Sequence, residues 1–239
     1  MERAVYDRIR ALEQDHWWFA GRRAVLTRAL EGLSLPAPAR ILEVGCGAGG
    51  NLQLLTPLGD VSALEPDDES RAYVAERYKM KVEGGLLPDG LPYPPGSFDL
   101  VCAFDVIEHV DEDAASVAAL AKLLKPGGAI LTTVPAYQWM WSPHDEAHHH
   151  KRRYALPAYR ALFEQAGLKV ERAGHFNTLL LPLAVVQRFA KKLLKIDSSD
   201  DAMPPPWLNG LLTRAFAAER SLFPMPVGLS IILAARKPF

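Results

Sequence analysis

Cysteine is scarce in these 239 residues: only Cys46 and Cys102, in no CxxC pair, which excludes a disulfide framework and points to a reduced compartment. Long apolar runs are missing too. The most apolar stretch, 178–186, is broken by Pro182, and a membrane helix needs about 20 residues. Residues 1–10 carry charges throughout, so no signal peptide is expected and the cytoplasm is the expected location. Net charge is also small. Lys and Arg number 27 against 28 Asp and Glu, which leaves no global field for nucleic acid or an acidic polymer. What remains is ordinary: 49% hydrophobic and 23% charged residues, in a length that fits one elaborated α/β domain.

The near-neutral total conceals two local fields. Residues 60–115 carry 14 acidic against 4 basic side chains, and residues 151–195 carry 10 basic against 2 acidic. Residues 2–31 alternate apolar and charged positions at helical spacing and stop at Gly32. Short apolar runs at 40–44, 61–64, 79–83, 98–104, 129–134, 168–173 and 229–235 then read as seven strands. Helices are expected near 50–57, 67–78, 111–124 (capped by Asp111, stopped by Lys125-Pro126-Gly127-Gly128), 157–166, 180–195 and 208–222. The alternation predicts a doubly wound, mostly parallel seven-stranded sheet. A helical arm (1–37) would precede a core (38–175); a helical insertion (176–227) would precede the last strand (228–239).

The strand Ile41-Leu42-Glu43-Val44 runs into Gly45-Cys46-Gly47-Ala48-Gly49, a turn in which glycines let the backbone approach a ligand. Glu43 is an acid in an apolar strand, where an unpaired carboxylate is costly. Glu65 ends the next strand, placed to accept both ribose hydroxyls of an adenosine. Glu43 paired with a structural cation, and Glu65 capping a helix, is the plain alternative. A dinucleotide is the rival ligand, since Gly50 could serve as the third glycine of GxGxxG, but Glu43 is no part of that pattern.

Glu43 through Gly49, Glu65, Leu91-Pro92-Tyr93, Phe98-Asp99-Leu100-Val101, Asp105-Val106-Ile107-Glu108-His109-Val110 and Leu124-Lys125-Pro126-Gly127-Gly128 together resemble a class I S-adenosylmethionine-dependent methyltransferase over residues 38–175. The resemblance implies that Gly45, Cys46, Gly47, Gly49 and Asn51 face the methionine and ribose, with Glu65 and Pro66 on the ribose side. Phe104, Asp105 and Val106 would line the sulfonium. Relatives often place an aspartate after the third strand for adenine; here stand Gly84-Gly85-Leu86-Leu87, so backbone and the apolar Leu86 and Leu87 would serve. Such an enzyme takes S-adenosylmethionine and releases S-adenosylhomocysteine.

Four of seven histidines fall in 142–154, after the fifth strand. The H-D…H…R-R-Y run there resembles a bacterial subfamily of type 11/12-like methyltransferases, which makes His144, Asp145, His148, Arg152, Arg153 and Tyr154 substrate-side candidates. Asp145 orienting His144 as a base is the first reading; a solvated polar loop is the alternative. No metal set is expected, because adjacent His148-His149-His150 in an extended loop point in different directions. His109 either holds its loop or lines the substrate pocket.

In the arm, Trp18 is expected to wall the cofactor pocket, and Arg22 or Arg23 to pair with the methionine carboxylate; simple aromatic packing is the alternative. In the insertion, Val185, Val186, Phe189, Leu193 and Ile196 share a side of a helix that also bears Arg188, Lys191, Lys192 and Lys195. A cap packed on the core is the plain reading. A lid over a lipid-linked acceptor, with the 185–196 helix touching the inner membrane face, is the functional one. The expected acceptor is a small or lipid-linked molecule, not a nucleic acid, and oligomeric state is open. An NAD-dependent oxidoreductase and a non-catalytic adenosyl-binding protein are the competing functions.

Overall fold

The computed structural model describes residues 3–194 and 202–239, the side chains of 191–194 excepted. Helices Arg3–Leu12 (α1) and Trp17–Glu31 (α2) form the arm. The core runs Ala39–Val44 (β1), Leu52–Leu55 (α3), Gly59–Leu64 (β2), Asp68–Tyr78 (α4), Val82–Glu83 (β3), Phe98–Phe104 (β4) and Asp113–Leu123 (α5). It continues through Leu124–Pro135 (β5), Pro143–Ala147 (α6), Leu156–Gln165 (α7) and Lys169–Phe176 (β6). Leu181–Leu194 (α8) and Pro206–Ala218 (α9) precede Ser230–Arg236 (β7).

The strands form one sheet in the order β3-β2-β1-β4-β5-β7-β6, with β7 antiparallel between β5 and β6. Period-2 alternation decides which helices cover which face. Val101 and Ala103 of β4 pack with Val117 and Leu120 of α5 and Tyr159 and Phe163 of α7. Leu100, Cys102 and Phe104 face Val25, Leu26, Ala29 and Leu30 of α2 and Phe216 of α9. Strand order reverses at β1, which lies between β2 and β4, so the crevice that receives ligands in open α/β sheets opens at the carboxyl ends of these strands.

Several expectations are corrected. The arm is two helices, because residues 13–16 break it and His16 caps the second by accepting from the Trp18 N–H. The helix after the glycine loop is one turn, followed by a 3-10 turn. Asp111 does not cap α5: Glu112 holds that position, and no side chain caps it. Lys125-Pro126-Gly127-Gly128 is the start of β5 rather than a helix stop; its Gly127 N–H donates to the Lys237 carbonyl at 2.9 Å. The insertion docks on the arm. Asn209 accepts from the Trp17 N–H and donates to the Asp15 carbonyl, each at 2.8 Å, and a Cβ at Gly21 would lie 2.5 Å from the Phe216 ring. On α8, Val186 and Phe189 are more than half exposed rather than packed on the core. Ile196 and Lys195 lie outside the described residues, as do the side chains of Lys191, Lys192 and Leu193.

Candidate functional site

The turn after β1 is held open by three glycines with positive φ: +66° at Gly45, +56° at Gly47 and +86° at Gly49. Gly45 and Cys46 donate their N–H groups to the Leu64 carbonyl, which ties the turn to the end of β2. A Cβ at Gly45 would meet Val106 at 2.7 Å, and one at Gly49 would meet Tyr78 at 2.6 Å. At Gly47 nothing lies within 4 Å, so this glycine faces the open crevice. The buried Glu65 closes the turn from the side: its two carboxylate oxygens accept the Gly47 N–H at 2.9 Å and the Asp67 N–H at 3.0 Å. Burial raises its pKa against the pull of those two donors.

Glu43 is 1% exposed. One oxygen accepts from the Asn51 amide at 3.1 Å and the other has no partner. Burial raises its pKa to about 8, with Asn51 and the Arg22 charge opposing. Arg22, also buried, lies 3.0 Å from Asp105, with its guanidinium 5.0 Å from the Trp18 ring and 5.8 Å from the Phe104 ring. Its Nε is unpartnered. Asp105 adopts a φ of +56° and accepts from the Thr133 hydroxyl at 3.0 Å. Arg23 instead donates to the backbone carbonyls of Glu13 and Gln14, which settles the direction in which each of the two arginines points. A buried carboxylate oxygen and a buried guanidinium N–H, both without partners and electrostatically coupled, suit a ligand with an ammonium and a carboxylate.

Other candidates divide. Val106 packs on Gly45, and Cys46 is a buried thiol whose pKa burial pushes up. Leu86 is exposed and Pro66 lies on the surface, while Leu87 packs at the edge of the core. Two residues of the arm join the site without any sequence signal beyond a helical charge pattern. Glu13, 4% exposed, accepts the Gly50 N–H at 3.1 Å. Tyr6 has its pKa raised to about 12 by burial and by the charges of Glu65 and Asp67.

The histidine segment is not a solvated loop. Ser142-Pro143-His144-Asp145 forms a capping box that turns Asp145 inward, toward Ser142, Arg153 and His150. Fully buried, Asp145 accepts the Ser142 N–H at 2.9 Å and the Arg153 Nε–H at 2.7 Å, and lies 2.9 Å from His150 Nδ1. Burial pushes its pKa up, but the His150 bond and the Arg153 charge outweigh this and hold it well below the carboxylate range. Tyr154 donates to Asp113 at 2.8 Å, and burial together with that bond raises its pKa. Arg152 pairs with Asp113 at 2.8 Å. These contacts pin the segment to α5. Four imidazoles gather above it: His109 and His150 at 4.7 Å between ring centroids, His144 and His148 at 4.1 Å, and His148 and His150 at 5.7 Å. Burial and the neighbouring His150 lower the His109 pKa to about 4. Glu108 beside it is wholly buried with neither oxygen hydrogen-bonded.

Residues 18–173 match the family described as Methyltransferase domain. The chain belongs to the class I S-adenosylmethionine-dependent methyltransferases. A Mycolicibacterium smegmatis protein named for S-adenosylmethionine-dependent methyl transfer is 31% identical over 168 residues, covering 68% of this chain and 63% of that protein. A ubiquinone biosynthesis O-methyltransferase of Xanthomonas euvesicatoria pv. vesicatoria is 30% identical over 187 residues, 66% of this chain and 77% of the relative. The chain thus spans less than two thirds of the mycobacterial relative. Among solved structures, the chain in complex with the Haloferax volcanii Trm112 methyltransferase activator superposes with a TM-score of 0.65 at 20% identity, covering 99% of this chain and 95% of that one. That likeness establishes the methyltransferase fold. Among the described residues, no helix of this methyltransferase is long and apolar enough to cross a membrane.

Proposed function

We propose that this chain transfers the methyl group of S-adenosylmethionine, in line, to an oxygen, nitrogen or carbon of a small-molecule or lipid-linked acceptor. The observation that carries this reading is the pair of unpartnered buried groups, Glu43 Oε2 and Arg22 Nε, beside a glycine turn open only at Gly47. In this reading Glu43, held by Asn51, meets the methionine ammonium, and Arg22, backed by Trp18 and Asp105, meets its carboxylate. Glu65 accepts the ribose hydroxyls. Gly45, Cys46, Gly47 and Gly49 line the turn, and Pro66, Leu86 and Leu87 border the adenine. Phe104, Asp105, Val106 and His109 line the sulfonium side. When bound, the cofactor supplies an electrophilic methyl group, and the acceleration comes from orienting the nucleophile against it. His144 and His148 face the acceptor, whereas Asp145, Arg153 and Tyr154 hold in place the segment that carries them, since their polar atoms are already hydrogen-bonded.

An NAD reading needs a third glycine that packs a long helix on the strand. Here the Gly50 N–H is taken by Glu13 and α3 has four residues. Calorimetry separates the readings: S-adenosylhomocysteine should bind one per chain and NAD should not. Gly47→Ala should cost only about 1 kcal/mol of stability, because the added methyl meets no protein atom and only the positive φ is strained. It should nonetheless weaken S-adenosylhomocysteine at least about tenfold, a loss of about 1.4 kcal/mol. Absence of S-adenosylhomocysteine binding, or unchanged affinity in the variant, refutes the assignment. Binding without turnover on any acceptor would favour a non-catalytic adenosyl-binding role.

For the acceptor, the supporting observation is an exposed apolar face. Leu183, Val186 and Phe189 of α8 and Trp207 and Leu211 of α9 are each more than half exposed, on an insertion whose sequence also carries Lys191 and Lys192. A face of this kind suits a peripheral contact with an anionic membrane carrying the acceptor. Flotation with anionic vesicles at low salt should recover the protein, and Val186→Asp with Phe189→Asp should abolish recovery. Wild-type protein left at the bottom of the gradient would exclude this acceptor setting.

A further inference from the structure

Beyond the cofactor crevice, one wholly buried acid has no explanation in the fold. Glu108 follows β4, is 0% exposed, and neither carboxylate oxygen has a hydrogen-bond partner. Two arginines, Arg22 and Arg153, act on it only through their charge, as does the like charge of Asp105. Ionised, an acid left this way costs several kcal/mol unless something else binds it. Two imidazoles face it: one ligand atom each from Glu108, His109 and His150 lie within 4.8 Å of one another.

Both imidazoles are already oriented by a hydrogen bond from the surrounding chain. His150 Nδ1 lies 2.9 Å from Asp145, which Arg153 also meets at 2.7 Å, so an Nδ1–H donated there leaves Nε2 with its lone pair. His109 is hydrogen-bonded to the His148 backbone. The Lys151 N–H donates to the Glu108 carbonyl at 2.7 Å and locks the histidine segment to the loop bearing Glu108. A carboxylate or carbonyl behind each ligating histidine is the arrangement that fixes tautomer and raises basicity in metal centres. The His109 and His150 rings meet edge to face, 4.7 Å between centroids and at 83°.

We infer that Glu108, His109 and His150 form a divalent-metal site for an ion of the Zn²⁺ class, with three protein ligands and an open position. Two imidazoles and one carboxylate are a ligand set of catalytic zinc and related borderline ions. The two imidazoles are partly exposed, so the ion keeps a face toward the crevice. The role of that open position rests on the methyltransferase reading: it would hold an acceptor hydroxyl, lower its pKa, and release the proton to water. The resulting oxygen lone pair would form the O–CH₃ bond as the C–S bond breaks, its electron pair passing to sulfur. Metal binding itself does not depend on that reading.

The test uses the full chain freed of metal by chelation, titrated with Zn²⁺ by calorimetry and with Co²⁺ by visible absorption. One ion per chain should bind, Co²⁺ should show d–d bands of a four- or five-coordinate site, and Zn²⁺ should raise Tm. Glu108→Gln and His109→Asn should each weaken Zn²⁺ by about 100-fold or more. Glu108→Gln keeps the side-chain volume and removes the buried charge, so its metal-free Tm should equal or exceed that of wild type. No saturable 1:1 binding, or wild-type affinity in Glu108→Gln, overturns the site. S-adenosylhomocysteine titrated in parallel against wild type and Glu108→Gln, a residue the cofactor reading does not use, reports on the cofactor crevice, so failure of either conclusion is seen separately.

Discussion

Glu65→Ala should weaken S-adenosylhomocysteine binding by about 100-fold or more and leave the chain folded. Hydrogen bonds to a charged acceptor are worth about 1.5–3 kcal/mol each. Two ribose hydroxyls on one carboxylate therefore amount to about 3–6 kcal/mol, or a factor of about 10²–10⁴ in Kd. The fold should survive because the acid's protein partners are two backbone N–H groups at the rim of the open crevice, Gly47 and Asp67. Deleting the side chain also relieves a buried carboxylate whose pKa burial already raises. Glu65→Gln, which keeps an acceptor but loses the charge, should fall between the two. Calorimetry for Kd and thermal melts for folding read both arms. Unchanged affinity in a folded Glu65→Ala chain would remove the ribose assignment and, with it, the cofactor's orientation in the crevice.

The glycine turn and the acid beside it were legible in the sequence because they are local features. Positive φ at alternate positions demands glycine at Gly45, Gly47 and Gly49, and an acid at the end of β2 is a single-residue signal. The sheet was legible for a similar reason: buried parallel strands are short apolar runs, and helices punctuate them. The choice between Arg22 and Arg23 was not legible, because it depends on where α1 ends. Arg23 reaches back to the carbonyls of Glu13 and Gln14, and that leaves Arg22 on the face turned to Asp105. Glu13 itself looked like one charge on a solvated helix. Only the packing of the arm over the glycine turn brings it to the Gly50 N–H. The acceptor half was the least legible. His109 and His150 are far apart in sequence and come from loops after different strands, so no spacing rule pairs them. Likewise nothing local shows that Asn209 and Phe216 of the insertion bind the arm at Trp17 and Gly21. The apolar face left exposed on α8 is the converse: helical periodicity places Val186 and Phe189 on one side, but only tertiary packing decides what covers them.

The largest stability loss from a single substitution in the histidine segment should come from Asp145→Ala. This carboxylate accepts from the Ser142 N–H, the Ser142 hydroxyl and Arg153, and pairs with His150. Removing it deletes a cap worth about 0.5–2 kcal/mol. It also leaves the Arg153 guanidinium, whose side chain is 7% exposed, without its counter-charge. Breaking a buried pair in this way costs about 3–5 kcal/mol. At about 2–4 °C per kcal/mol for a chain of this size, Tm should fall by about 10 °C. Asp145→Asn keeps an oxygen for the cap and loses the charge, so it should fall less. The pH dependence identifies the charge as the source. The folded pKa of Asp145 is depressed, so its stabilisation is fully present above the unfolded value of about 3.9 and is lost as pH falls from there through the lower folded value. The Tm gap between wild type and Asp145→Asn should therefore be fully open at about pH 5 and close progressively below about 4. A gap that persists unchanged at pH 3 would mean that shape, not charge, holds the segment. Closure of the gap would mean that an ionised carboxylate holds His150 and Arg153 in the segment.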